Sequence, residues 1–282
     1  MKKIENIKEI QKITYRMLKF FSEFCEENNL KYCLGGGSAL GAIRHNGFIP
    51  WDDDIDIIMP RPDYMRFISL IREKKGNNIF EKNNIVINSI YLGSKTIFPF
   101  IRITDSRTKV IQKRHKIHEE TGIWIDIQPS DGVPKNKYNQ KLYYYGYRIL
   151  ADCYLASITK LGVKRRNKLI TYLQWGLFPI YWLFSLLDYE KMLFILDKYV
   201  QKYDFEKSSE VMVFSGRAGL KEIFNKEQFF SLKKLKFEDK EYNVPGNIDL
   251  YLKRLYGDYM EIPPIEKREK HEMEAYWIEE KK

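Results

Sequence analysis

The 282 residues, 44% hydrophobic and 15% aromatic, suffice to bury a substantial core in one large domain or two modest ones, which excludes a disordered polypeptide. Three scattered cysteines, Cys25, Cys33 and Cys153, exclude a disulfide framework and a thiolate zinc site and suit a reducing cytosol. A net charge of +10 points to anionic partners.

From the N-terminus, Ile4, Ile7, Ile10, Ile13, Met17, Phe21 and Phe24 recur at steps of three or four, which predicts an amphipathic helix and not a signal peptide. Its basic residues are interleaved with acids, so packing on the core is expected over insertion into a lipid surface. Gly35-Gly36-Gly37-Ser38 then leads into a helix-compatible segment. Ser38 is expected to cap that helix, and Gly36 and Gly37 to let backbone amides approach a phosphate closely. Arg44 follows as a candidate for bidentate phosphate contact, with His45 the best placed of the four histidines.

Asp54-Ile55-Asp56-Ile57-Ile58 is short, β-branched and apolar between its acids, which predicts a strand. Side chains two apart on a strand share a face at about 6.5–7 Å. Asp54 and Asp56 therefore converge, and two carboxylates facing one way repel unless a cation lies between them. Hard oxygen donors of this kind favour Mg²⁺ or Mn²⁺. Asp52 and Asp53 support the same acidic block.

A helix from about Pro62 to Lys75 is expected next, then strands near 85–91 and 98–104. Arg102 is a candidate to orient a substrate phosphate, with Arg107 and Lys109 close behind. Gly122-Ile123-Trp124-Ile125-Asp126-Ile127 reads as another apolar strand carrying one carboxylate, and Asp131-Gly132-Val133-Pro134 as its exit turn. If Asp126 lies beside the first strand, three carboxylates share a site that can clamp metals for an in-line phosphoryl displacement or accept the proton of an attacking hydroxyl.

A glycine-serine turn, an Asp-x-Asp strand and a later lone Asp together resemble the nucleotidyltransferase superfamily of polymerase-β-like folds. Within it, GGGSALGAIRHNGFIPWDDDIDI closely resembles the LicD family of phosphorylcholine transferases, which includes the fukutin-type proteins. GIWIDIQPSDGVP and the segment from Asp249 to Met260, followed by Pro263-Pro264, are similar to further motifs of that family. The resemblance assigns the metal-binding pair to Asp54 and Asp56, the third carboxylate to Asp126, and the glycine motif to Gly36, Gly37 and Ser38. Gln128 departs from it, standing where the family more usually has an aromatic residue.

Beyond residue 135 the character changes. Tyr143, Tyr144, Tyr145 and Tyr147 crowd a helical stretch, and a basic run from Lys164 to Lys168 precedes the uncharged segment from Leu169 to Leu187. Length alone lets that segment span a bilayer, but Gly176 and Pro179 interrupt it, and a single crossing would separate the two halves of one site. The remaining readings are a helical hairpin buried in the core and a segment lying at an anionic lipid surface without spanning it, and the basic run before it favours the second. In Ser215-Gly216-Arg217-Ala218-Gly219-Leu220-Lys221, an anion-binding turn is expected to present Arg217 and Lys221 to substrate phosphate.

The expected fold is α+β: a polymerase-β-like nucleotidyltransferase core with a small mixed sheet, plus a mostly helical second half. Its divisions are a catalytic core (1–134), a helical, apolar insertion (135–210) and a C-terminal region packing back on the core (211–282). The resemblance implies a Mg²⁺-dependent, LicD-type phosphotransferase acting from a CDP-alcohol donor, such as CDP-choline, on a hydroxyl of a cell-surface glycan or its lipid-linked precursor. Cytoplasmic residence, at the inner face of the membrane, follows. The rival enzyme is a metal-dependent glycosyltransferase binding a sugar nucleotide through Asp54-Ile55-Asp56, but those enzymes normally place a nucleotide-binding βαβ region before that motif. A nucleic-acid partner is not expected, because the lysines are dispersed and no stacking motif is evident. A non-catalytic membrane-surface module leaves the three aspartates unexplained.

Overall fold

The computed structural model describes residues 1–111, 121–158, 186–268 and 273–278. The segment from Leu169 to Leu187 therefore lies almost wholly outside the described residues, as do His115, His118 and His271. No described helix is long and apolar enough to cross a membrane.

The N-terminal periodicity forms helix α1 (Ile7–Glu27), capped by the Asn6 side chain, which accepts a hydrogen bond from the Lys8 amide at 2.9 Å. Ile10, Ile13, Met17, Leu18, Phe21 and Phe24 are buried along one face. Ile4 falls outside the helix, because Lys2–Ile4 form strand β1.

The central sheet is assembled from β2 (Cys33–Leu34), β3 (Asp56–Pro60), β4 (Ile85–Asn88), β5 (Ile101–Asp105) and β7 (Trp124–Gly132), in the order β2-β3-β7-β5-β4. Strand β3 runs parallel to β7, and the other pairs are antiparallel. The register aligns Ile57, Ile127 and Ile101 in one row, each fully buried. Helix α1 packs against β5 and β7. Burial of such a side chain stabilises by roughly 1.5–3 kcal/mol, so this row and the helix fix the register together.

Several boundaries differ from the sequence expectation. Strand β3 begins at Asp56, leaving Asp54 in the preceding extended loop, although the Asp126 amide already bonds the Ile55 carbonyl at 2.9 Å. The segment near 85–91 stops at Asn88 and turns into a 3-10 helix, Ile90–Leu92. The helix expected from about Pro62 to Lys75 divides into α3 (Arg61–Arg72) and α4 (Lys74–Lys82).

Strand β7 does not exit at Asp131-Gly132. Both residues remain in the strand, because β8 (Glu210–Met212) pairs with them and with β9 (Ile223–Asn225). The second half is helical through α5 (Lys137–Ile158) and α6 (Tyr189–Val200). From Glu210 onward it is not mostly helical: β8 and β9 extend the main sheet, β10 (Lys233–Phe237) and β11 (Lys240–Val244) form a hairpin, and β12 (Glu274–Trp277) joins β1 to β6 (Thr108–Ile111). These strands are short and rich in charge, so they carry no apolar run to announce them. Two further helices are α7 (Lys226–Phe230) and α8 (Ile248–Tyr256).

The apolar interior has two clusters. One lies between α1 and the central sheet. The other joins Tyr143, Tyr147 and Tyr154 of α5 to Leu193 and Leu196 of α6 and to Phe214 beyond β8.

Candidate active site

Antiparallel pairing of β2 with β3 lays the glycine turn beside Asp56, whose carbonyl accepts from the Gly35 amide at 2.9 Å. Helix α2 (Gly36–His45) starts here, with Gly35 as its N-cap. Ser38 does not cap it: the hydroxyl sits in the first turn and accepts the Asp56 amide at 2.9 Å. Gly36 has φ +44°, and a Cβ there would stand 2.7 Å from Asp56 Oδ2; a Cβ on Gly37 would stand 2.6 Å from Asp52 Oδ2. The acid oxygens thus lie against the start of the helix, and the left-handed backbone at Gly36 favours glycine there.

The strand register places Asp56 opposite Asp126, and Asp126 opposite Arg102. Directly paired residues share a face, so the three form a row across β3, β7 and β5. Asp54 joins from the loop, and ligand oxygens of Asp54, Asp56 and Asp126 lie within 4.8 Å of one another. Asp52, Asp53 and Asp54 form a second such group. That loop is tied to α1 by Gln11, whose amide donates to the carbonyls of Ile49 at 3.2 Å and Asp52 at 2.8 Å.

Burial, then Asp54 and Asp126, push the Asp56 carboxyl up to about 8, against the opposing pull of Gln128 and Arg217. Such a group is a proton or cation trap. The donor set is all oxygen, which fits a hard divalent ion.

Asp126 is held differently. Arg102 donates to both its oxygens, Nε at 2.8 Å and Nη2 at 2.9 Å, and lies between the rings of Phe98 and Trp124 at 3.5 and 4.3 Å. Arg102, expected to orient a substrate phosphate, has two of its nitrogens engaged by Asp126, and its Nη1 is buried without a hydrogen-bond partner among the described residues. Arg44, expected to contact phosphate, is engaged by backbone. It lies in the last turn of α2, about 12 Å along the helix from Gly36 at 1.5 Å per residue. Its Nη1 donates to the carbonyls of Tyr259 at 2.7 Å and Glu261 at 3.2 Å, so it fastens the C-terminal segment.

Arg217 and Lys221 part company. Arg217 lies within electrostatic reach of Asp56. Lys221 lines a separate cavity between α5 and α8.

Sequence reasoning missed four contributors. Gln128 donates to Asp56 Oδ1 at 3.0 Å and accepts from the Ser215 hydroxyl at 2.7 Å, which chains Asp56 to the 215–221 turn. The Tyr251 hydroxyl of α8 accepts from the Gly36 amide at 2.9 Å. Glu222 is 3% exposed, and burial raises its carboxyl to about 7, with Asp56 adding to the rise. Gln128 carried a signal as the departure after the Ile-Asp-Ile motif, Ser215 as the start of the expected anion-binding turn and Tyr251 as part of the segment from Asp249 to Met260, although none was assigned to the site; Glu222 carried none.

Residues 29–141 match the model of the LicD/FKTN/FKRP nucleotidyltransferase domain. The chain therefore carries a LicD-family domain. It is 28% identical, over 99% of its length and 100% of the relative's, to the lipopolysaccharide cholinephosphotransferase LicD of Haemophilus influenzae. Shorter matches are 39% identity with an uncharacterized protein of Rickettsia typhi, over 22% of this chain and 20% of that one, and 49% with one of Rickettsia prowazekii, over 15% and 16%.

Proposed function

We propose that this protein is a LicD-type phosphotransferase with a polymerase-β-like site, moving a phospho-alcohol such as phosphorylcholine from a CDP-linked donor to a hydroxyl of a cell-surface glycan or its lipid-linked precursor. The observation that carries the reading is the meeting of Asp54, Asp56 and Asp126 within 4.8 Å beside the glycine turn of α2. The full-length relative, named for choline phosphate transfer on lipopolysaccharide, supports the substrate class.

Asp54 and Asp56 would hold Mg²⁺ or Mn²⁺, with Asp126 at its flank. Once bound, the ion supplies neutralisation of the donor phosphates and of the charge that develops as CMP leaves. The chain's own groups do the rest. The turn at Gly36 and Gly37 accommodates a phosphate at the positive end of α2. Arg217 adds positive charge on the Asp56 side, and Gln128 orients the Asp56 carboxylate. Arg102 occupies both oxygens of Asp126, which suits that carboxylate to orientation better than to proton abstraction.

Helix α5 exposes Tyr138 (68%), Leu142 (55%), Tyr145 (57%) and Ile149 (66%) at helical spacing, a stripe suited to peripheral contact with the inner face of the membrane. Flotation with anionic liposomes, reversed by salt or detergent, is expected; indifference to liposomes would remove the membrane contact.

A donor panel tests the chemistry. CMP release from a CDP-alcohol, requiring Mg²⁺ and lost in Asp54→Asn and Asp56→Asn, is expected. Release of UDP or GDP from a sugar nucleotide would overturn the proposal in favour of a glycosyltransferase.

A further inference from the structure

Apart from the aspartates, a cavity of about 490 Å³ opens between α5, α8 and the 3-10 turn Gly219–Glu222. Lys137, Lys141, Lys221, Lys253 and Arg254 line it with Gln140, and no carboxylate is among its described lining. Two of the cations are answered from its edge: Lys137 by Glu210 at 2.8 Å and Lys253 by Asp249 at 2.9 Å. Arg254 donates to the Ile223 carbonyl at 2.6 Å. Lys141 and Lys221 have no ion-pair partner among the described residues. Glu210 and Asp249 thus answer part of the positive charge from the rim, and Lys141 and Lys221 leave the concavity with cationic charge in excess.

Its walls are shared with the catalytic site. Lys221 enters the cavity while its neighbour Glu222 lies within reach of Asp56. Helix α8 supplies Lys253 and Arg254 to the cavity and Tyr251 to Gly36. A ligand here sits across one element from the reacting centre, on a surface that the donor diphosphate, directed to the aspartates, does not need.

We infer that this cavity is a metal-independent subsite for a phosphate group on the acceptor, so that the acceptor is a phosphorylated glycan. This rests on the transferase reading for the word acceptor; the anion site itself does not.

The test separates the two. With EDTA present, so that no divalent ion can hold an anion among the aspartates, the wild-type protein is titrated with a soluble phosphosugar by calorimetry. Binding is expected, weakened about tenfold or more in Lys141→Glu and further in Lys141→Glu with Lys221→Glu, since bonds to a charged group are worth that much. It should persist in Asp56→Asn, whatever becomes of transfer. With metal restored, Lys141→Glu should release CMP from the donor as wild type does while its KM for a phosphorylated acceptor rises and that for the dephosphorylated glycan does not. Unchanged phosphosugar affinity in the double variant would overturn the site. Loss of flotation on anionic phospholipid vesicles with phosphosugar affinity unchanged would assign the cavity to a lipid headgroup and overturn the acceptor assignment.

Discussion

Strand β7 carries two aspartates, each held by an arginine through two parallel hydrogen bonds, and the two pairs have opposite surroundings. At one end Arg102 grips Asp126 beside Asp54 and Asp56. At the other, Arg61 grips Asp131 at 2.7 Å through each bond and reaches Asp197 of α6 at 3.0 Å. Asp197 is then finished by Tyr91, which donates to it, and by Gln201 at 2.6 Å. The Arg61 cluster closes on itself and ties α3, β7 and α6 together. Both clusters hold more carboxylates than arginines, but around Arg61 each oxygen of Asp131 and Asp197 has a partner from the protein, whereas beside Arg102 ligand oxygens of three carboxylates converge within 4.8 Å. Identical pair chemistry thus serves architecture where protein groups answer the acids, and a ligand site where the acids crowd one another.

The largest effect that would sharpen this contrast is on turnover. Asp56→Asn should lower it by about 10³-fold in a CMP-release assay, a loss of several kcal/mol of charge stabilisation. The same variant should be more heat-stable than wild type in EDTA at pH 8. The folded-state carboxyl titrates near 8, far above its ordinary value, so the wild-type protein loses stability as pH rises through that interval. Near pH 4 the two melting temperatures should converge. A variant less stable than wild type at pH 8 would show that Asp56 belongs with the closed cluster.

Next come the arginines. Arg61→Ala and Arg102→Ala should each cost about 3–5 kcal/mol in denaturant titrations, since each strands a buried carboxylate. Mg²⁺ should restore part of the loss in Arg102→Ala and none in Arg61→Ala. Equal rescue, or none in either, would erase the distinction.

Glu222→Gln probes the excess of acid more gently. Burial and Asp56 raise this carboxyl to about 7, so its contribution to stability is present below about pH 4.5 and is lost as pH rises through 7. Above that pH the substitution should stabilise the metal-free protein by about 3 kcal/mol, because it removes a charge that burial disfavours. Smallest is Gln128→Ala, which removes one hydrogen bond to Asp56. It should reduce turnover about fivefold, the equivalent of about 1 kcal/mol, with the melting temperature nearly unchanged.

The acids were legible in the sequence because a carboxylate inside a β-branched run is costly unless something answers it. The apolar residues around them also predicted the strands that bring them together. The glycines were legible as a turn leading into a helix, but their closest neighbours, the oxygens of Asp52 and Asp56, needed the pairing of β2 with β3. Arg102 and Arg44 were legible only as charges. What decides their roles is the sheet order, which puts Arg102 opposite Asp126, and the return of the chain near Tyr259, which takes up Arg44. Asp131 looked like turn punctuation because its neighbours are Gly132 and Pro134; its burial depends on Arg61, seventy residues earlier, and on β8. Glu222, Ser215 and Tyr251 join the site through contacts to residues 87 or more positions earlier, which no local pattern encodes.

The bond from the Gly36 amide to Tyr251 has a temporal consequence. A ribosome releases the aspartates first, and the Ser215 side chain that braces Gln128 and the hydroxyl that fastens the glycine turn emerge only later, after Asp126 by 89 and 125 residues. The stretch matching the family model ends at residue 141, before either has been made. The site is therefore not fully braced until Tyr251 has been made, and a product terminated before that residue would carry the acids without the groups that organise them.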